Sequence, residues 1–216
     1  MHDENFSDAR PQRGRPQLRP DDETRDIIYD AARHVFAEKG FSATSMEAIA
    51  RAAGVSTKTL YRLIENKAVL FEQMVRQRID RFVNAVNLSV CENRNFEVAL
   101  GDALIICGEL ILDREVLAIP RMILAESDAF PQMAESFYKN AMRRTVGALG
   151  DWLRQQQRRG AISLDDPEDA AGMLLGMLIF EPQRAVWFGR SPAPSPAAIE
   201  QRARKCVKLF LQGCRA

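Results

Sequence analysis

Residues 46–65 read MEAIARAAGVSTKTLYRLIE, and their spacing predicts two short helices crossing at a steep angle. Such a crossing asks for a small residue where the helices touch, which Ala50 supplies, and for a glycine in the turn, which Gly54 supplies four positions later. Ile49, Val55 and Leu60 stand where apolar residues must face the junction. Ser56 is placed to cap the second helix, which runs to about Leu63 with Leu60 inward. Its outward positions hold hydroxyls, cations and a phenol, groups that donate to phosphate oxygens and to base edges in the major groove. The free amides of the helix start add further phosphate donors. The pattern is that of a helix-turn-helix for double-stranded DNA.

Working outward, Thr44-Ser-Met-Glu47 reads as a capping box opening the first of the two helices. A helix before it starts with Asp21 or Asp22 as cap and carries Ile27, Ile28, Ala31, Val35 and Phe36 at helical spacing. Lys39-Gly40 ends it, with glycine free to take a positive φ. Asn66 caps a fourth helix reaching about Val90, with Leu70, Met74, Phe82 and Val86 on its apolar stripe. Helical segments follow at 96–112, 115–126, 131–159 and 167–188, where Pro182 is expected to kink or break the last. SPAPSP (191–196) forms a turn, and a final helix spans 197–212. No strand-like alternation of useful length occurs. The expected class is all-α: a disordered basic arm (1–20), an N-terminal three-helix helix-turn-helix DNA-binding domain (21–66), and a helical ligand-binding and dimerisation domain (67–216).

The 216 residues are 46% hydrophobic and 27% charged, an ordinary globular composition, and the net charge is only +1. Any attraction to nucleic acid is therefore local. Residues 10–19 (RPQRGRPQLR) hold four arginines and no acid, and residues 39–67 hold Lys39, Arg51, Lys58, Arg62 and Lys67 against Glu47 and Glu65. The four cysteines (Cys91, Cys107, Cys206, Cys214) form no CxxC pair, which argues against zinc and against a disulfide framework and fits a reducing, cytoplasmic setting. Met173–Phe180 is the longest apolar run and is too short to span a bilayer, so no membrane partner is expected. There is no Ser/His/Asp set, phosphate loop or metal-ligand cluster, so neither an enzyme nor a cofactor is expected.

TSMEAIARAAGVSTKTLYRLIENKAVLF (44–71), with VFAEKGFSATS before it, resembles the N-terminal domain of the TetR/AcrR family of transcriptional regulators over about residues 24–72. RMILAESDAFPQMAESFYKNAMRR (121–144) and GAISLDDPEDAAGMLLGMLI (160–179) look like the AefR-like subset of that family in the FP turn, the FY pair and the paired acids opening the next helix. The resemblance implies a homodimer with a divergent ligand-binding domain. It implies that Thr44 and Lys67 contact phosphates at helix starts, that Thr57, Lys58 and Thr59 face the groove, and that Tyr61 reaches the backbone. Leu63 and Ile64 depart from the family pattern, in which a histidine and a phenylalanine are common. Leu63 cannot donate to a phosphate, and Arg62 is the residue expected to compensate.

The same resemblance places an effector cavity in the C-terminal half. Leu104, Cys107, Ile111, Met122, Ile123, Phe137 and Met173 are its candidate walls, and Glu126 is a candidate polar group for an apolar or amphipathic effector. Leu174 and Leu178, with Val207 and Phe210, lie on apolar stripes that suit a four-helix interface between two copies. The function these readings support is an effector-responsive repressor on a pseudo-palindromic operator; an activator with the same DNA-reading element and a helical protein-interaction module remain the alternatives. Arg13 and Arg15 flank Gly14 in a Gly-Arg-Pro core like that of minor-groove hooks. Deleting residues 1–19 is expected to weaken operator binding and flatten its salt dependence, as measured by fluorescence anisotropy across a salt series.

Overall fold

The computed structural model describes residues 19–90 and 95–214, without the side chains of 85–90 and 214. The arm with Arg13 and Arg15, and Cys91, lie outside the described residues. Helices account for most of the described residues: α1 (Asp21–Lys39), α2 (Met46–Ala52), α3 (Thr57–Leu63), α4 (Lys67–Val90), α5 (Phe96–Ile111), α6 (Arg114–Glu126), α7 (Pro131–Phe137), a π-helical turn (Tyr138–Arg143), α8 (Arg144–Arg158), α9 (Pro167–Trp187) and α10 (Pro196–Cys214). No strand occurs among the described residues.

Side-chain caps set most of the helix starts. Ser45, Ser56, Asn66, Asn95, Asp113 and Asp166 each accept a hydrogen bond from a backbone amide two or three residues on. The expected capping box is displaced by one residue. Ser45, not Thr44, accepts from the Ala48 amide at 3.1 Å, and Glu47 is left in the first turn, favourably placed toward the helix dipole. Nor does Asp21 or Asp22 cap α1; Pro20 stands in the cap position, and Thr24 Oγ1 donates to its carbonyl at 3.0 Å.

The expected helix over 131–159 is interrupted by the π-helical turn at 138–143, which no apolar spacing announced. Conversely, Pro182 does not end α9. Proline removes one backbone donor and leaves the Leu178 carbonyl without its helical partner. Arg202 of α10 fills that place: its Nε donates to Leu178 O at 2.7 Å, and its Nη2 to Met177 O at 2.7 Å.

Two large apolar clusters form most of the interior, with a small third one of Leu112, Leu117 and Ile199. The first joins Ile28, Phe36, Ile49, Leu60 and Phe71 of the N-terminal helices to Ile119 and Ile123 of α6, without a break at residue 67. The second packs Leu100, Leu104, Trp152, Leu174 and Ala203 from α5, α8, α9 and α10. Where α5 and α10 cross, a Cβ built on Gly108 would stand 2.5 Å from Ile199 Cγ2. Gly108→Ala is therefore expected to cost about 1–3 kcal/mol by overpacking, seen as a lowered Tm. Gly147→Ala, where a Cβ meets nothing within 4 Å, is the matched control and is expected to lose no stability.

Candidate DNA-reading surface and ligand cavity

The junction of α2 and α3 is built as its spacing requires. Ile49, Ala50 and Leu60 are fully buried, Gly54 adopts a φ of 65°, and the Val55 amide donates to Ala50 O at 3.0 Å. Leu63 is also buried, so it anchors α3 to the core and does not face outward. The outward face of α3 is left to Thr57 and Lys58, both exposed, and to Tyr61, which is 49% exposed. The Ser56 hydroxyl is occupied as the helix cap, accepting from the Thr59 amide at 3.0 Å and sharing a 2.8 Å hydrogen bond with the Thr59 hydroxyl.

Three of the expected contacts are spent inside the protein. Arg62, expected to compensate for Leu63, forms a two-pronged pair with Asp21 of α1 at 2.8 and 2.9 Å. The hydrogen bonds from that pair raise its pKa, and its charge braces α3 against α1. Thr44, expected on a phosphate, is only 3% exposed, and its hydroxyl donates to Gly40 O at 2.6 Å. The Lys67 ammonium donates to the carbonyls of Phe41 and Thr44 at 2.6 and 2.8 Å and sits 4.5 Å from the Phe41 ring centroid. Desolvation lowers its pKa, opposed by the charge of Glu126.

Glu126 corrects a second expectation. It is not among the residues lining the apolar cavity between α4, α6 and α9. From the last turn of α6 it accepts from the Phe41 amide at 2.9 Å and from the Ser42 amide at 2.8 Å, and Ser42 Oγ donates to it at 2.6 Å. The turn between α1 and α2 is thus held through its amides by an acid and through its carbonyls by a lysine. Gly40 makes the approach possible, with a φ of 81° and a Cβ position only 2.8 Å from the Glu126 carboxylate. Sequence spacing gave no sign of this, because the partners are 84 and 85 residues apart.

An apolar cavity of about 560 Å³ lies between α4, α6, α9 and the π-helical turn. That volume is within the range of about 300–1,000 Å³ that small-molecule sites occupy. Of the expected walls, Ile111, Ile123 and Phe137 line it. Leu104 and Cys107 do not; they face the second cluster, where burial pushes the Cys107 thiol up to about 12. Met122 packs into the first cluster, and Met173 is 61% exposed on the outer side of α9. The wall residues that sequence reasoning missed include Tyr138, Ala141 and Met142 of the π-helical turn and Arg33 and Arg78.

The expected dimer residues are also relocated. Leu174, Leu178 and Val207 are buried within the monomer, with Phe210 half-buried beside them. The apolar side chains that α9 and α10 leave exposed are instead Met173, Phe180 and Leu209. Among the described residues, no helix is long and apolar enough to cross a membrane.

Residues 28–74 match the family model of bacterial regulatory proteins of the tetR family, and residues 100–214 match that of the AefR-like transcriptional repressor C-terminal domain. The HTH-type transcriptional repressor ComR of Escherichia coli K12 is 29% identical over 153 residues, which is 69% of this chain and 71% of ComR. The solved structure of the flavonoid-responsive regulator FrrA is 31% identical with a TM-score of 0.65, covering 90% of this chain and 98% of FrrA. A structure described as a TetR-family transcriptional regulator of Mesorhizobium loti MAFF303099 is 29% identical with a TM-score of 0.77, covering 92% of this chain and all of that one.

Glu126→Gln tests the clamp, since an amide keeps one acceptor but turns a donor toward amides that also donate. The variant is expected to lose about 1.5–3 kcal/mol in denaturant unfolding. The amides of residues 41 and 42 are expected to exchange hydrogen faster than in the parent.

Proposed function

The chain belongs to the TetR family of bacterial regulatory proteins, with an AefR-like C-terminal domain, and on that premise we propose that it is a dimeric repressor that leaves its operator when a small molecule fills the cavity. The relatives it resembles are transcriptional regulators rather than enzymes.

One observation carries the DNA-binding part. Leu60 and Leu63 fix α3 from below while Thr57, Lys58 and Tyr61 stand exposed above, the Tyr61 hydroxyl reaching Glu47 Oε1 at 3.5 Å. A helix held this way enters a major groove as a rigid body, its side chains already arranged for phosphate and base contacts. Lys58 supplies the charge on this face, since Arg62 is paired with Asp21 and Lys67 is turned inward. Thr59 lies beside the groove-facing residues, and the α3 amides provide for a phosphate without Thr44 or Lys67.

Dimerisation rests on exposed apolar surface. Met173 and Phe180 on α9 and Leu209 on α10 are each about 60% exposed. Gly176 on α9 has open space where a Cβ would stand, so a neighbouring helix can come close. Two copies joined there would present α3 twice, about 34–36 Å apart, to successive major grooves of a pseudo-palindrome. The protein would act in the cytoplasm, where its operator lies.

The repressor role takes support from the AefR-like repressor match and from ComR. Response to an effector takes support from the cavity and from FrrA, which responds to flavonoids by its name. In this reading α6 is the moving part: Ile123 lines the cavity, and Glu126, one turn later, holds the turn before α2. A ligand that favours a different position of α6 favours a different placement of α3, and to empty the operator it must prefer that state by several kcal/mol, on the order of 5.

Site selection on random DNA is expected to return a palindrome with half-sites one helical turn apart. On that operator Lys58→Ala is expected to weaken binding about tenfold or more, and Tyr61→Phe by less, with helicity unchanged. Met173→Glu is expected to sediment as a folded monomer. Parent-like affinity in both α3 variants would remove α3 from the interface, and a Met173→Glu dimer would do the same for α9.

A further inference from the structure

The charge distribution in the cavity wall is one-sided. The lining includes two guanidinium groups, Arg33 and Arg78, and no carboxylate. Around them, Arg33 is held by Asp30 at 3.1 Å and by Glu115 at 3.2 Å, and His34 shares Glu115 at 2.9 Å. Those acids stand behind the wall. Arg78 is treated differently. Its nearest acid is Asp113, at 3.9 Å from Nη2, beyond hydrogen-bond reach. Asp113 Oδ1 is already engaged as the cap of α6, accepting from the amides of Glu115 and Val116 at 3.1 Å each. The Arg78 Nε–H is buried and has no acceptor at all. Burial and then the like charge of Arg33 act against this cation and are only partly offset by the charges of Asp113, Glu115 and Asp30, yet a guanidinium stays charged. The guanidinium, 32% exposed, thus keeps hydrogen-bond donors that a ligand anion can take up.

Most of the remaining wall is aliphatic or aromatic, with Ile119, Ile123, Phe137 and Trp187 among its members; Gln183, Thr145 and Tyr138 add uncharged polar groups, and the Thr145 hydroxyl donates to Ala141 O at 2.8 Å. The one polar atom the indole of Trp187 has to offer is spent, its Nε1 donating to Leu117 O at 2.8 Å. An apolar volume with a cationic end selects for an apolar body with an anionic end.

We propose that the cavity takes an amphipathic carboxylate, its apolar body among the side chains of α6 and the π-helical turn and its acid paired with the Arg78 guanidinium. This rests on reading the cavity as the effector site and adds the ligand's chemical class. A planar carboxylate can receive two parallel N–H donors from a guanidinium, which a neutral ester or amide cannot match in charge. Cationic ligands meet two like charges in the wall and are rejected.

The test uses the full chain and two acids of different shape, dodecanoate and 1-naphthylacetate, each beside its methyl ester. Binding is measured by calorimetry, and operator affinity by anisotropy in the same solutions. At least one acid is expected to bind about tenfold or more tightly than its own ester. Arg78→Met is expected to erase that preference while leaving ester binding and Tm close to the parent values. Arg78→Lys is expected to retain part of the preference, since charge survives without the planar fork. If both acids bind no better than their esters, or if the preference survives Arg78→Met, the assignment of an anionic ligand to Arg78 is overturned, and the cavity remains available to a neutral effector. If an acid binds through Arg78 and the operator is not released, the ligand class stands and the effector-release reading fails.

Discussion

The structure depends most on a five-residue turn, Gly40–Thr44, held from two sides by opposite charges. Glu126 accepts the amides of Phe41 and Ser42, and Lys67 donates to the carbonyls of Phe41 and Thr44. Backbone groups in a tight connection otherwise need water or secondary structure for partners. Here they are met by side chains from α6 and α4, which run into the C-terminal half. Between the two charges the Phe41 ring packs against Phe36, Phe71 and Phe130 with centroids 5.5, 5.9 and 5.1 Å away. The placement of α2 and α3 is thus set by elements that are not part of the helix-turn-helix. Hydrogen bonds to charged groups are worth more than neutral ones and are costlier to lose, so these contacts tie the turn firmly to α6 and α4.

The net charge of +1 makes more sense with the pairs in view. Of the cations around α3, Arg62 is paired with Asp21 and Lys67 is turned inward onto the turn carbonyls, leaving Lys58 exposed on α3 and Arg51 exposed on α2. Electrostatic attraction of such a surface is modest, and fixed geometry has the larger share of the work. The arginines of residues 10–19 are the chain's densest positive run, which is why the salt dependence of the full chain matters more than its overall charge.

Helix positions and the crossing of α2 on α3 were legible because they rest on local chemistry: Ala50 and Gly54 at a fixed interval, serines and asparagines at caps, glycine after α1. What was not legible was which neighbour each apolar side chain meets. Leu104, Cys107, Leu174 and Leu178 lie on helices with more than one apolar face, and periodicity cannot distinguish a cavity wall or a subunit contact from core. The same limit explains Thr44, Lys67 and Glu126, whose types suit a phosphate or a ligand equally well. Their actual partners are backbone groups supplied by tertiary structure. The π-helical turn is a further case, since one extra residue per turn leaves no mark in an apolar pattern, and it places Tyr138, Ala141 and Met142 at the cavity.

The helix α9 brings the proposed roles together. Leu175, Ile179 and Trp187 line the cavity, Met173 is exposed, and Phe180 takes part in both, lining the cavity while 59% exposed. Its Pro182 would weaken the helix, yet Arg202 of α10 takes up the carbonyls of Met177 and Leu178, so that α9 and α10 are fastened where the backbone pairing is poorest. A rigid pair of this kind suits a subunit contact, because a fixed distance between two copies of α3 requires that the joint itself not yield. In the proposed reading the wall that yields to a ligand lies opposite, on α6 and the π-helical turn. There Pro120 also interrupts helical bonding, and the last residue of α6 holds the turn that positions the DNA-reading helix.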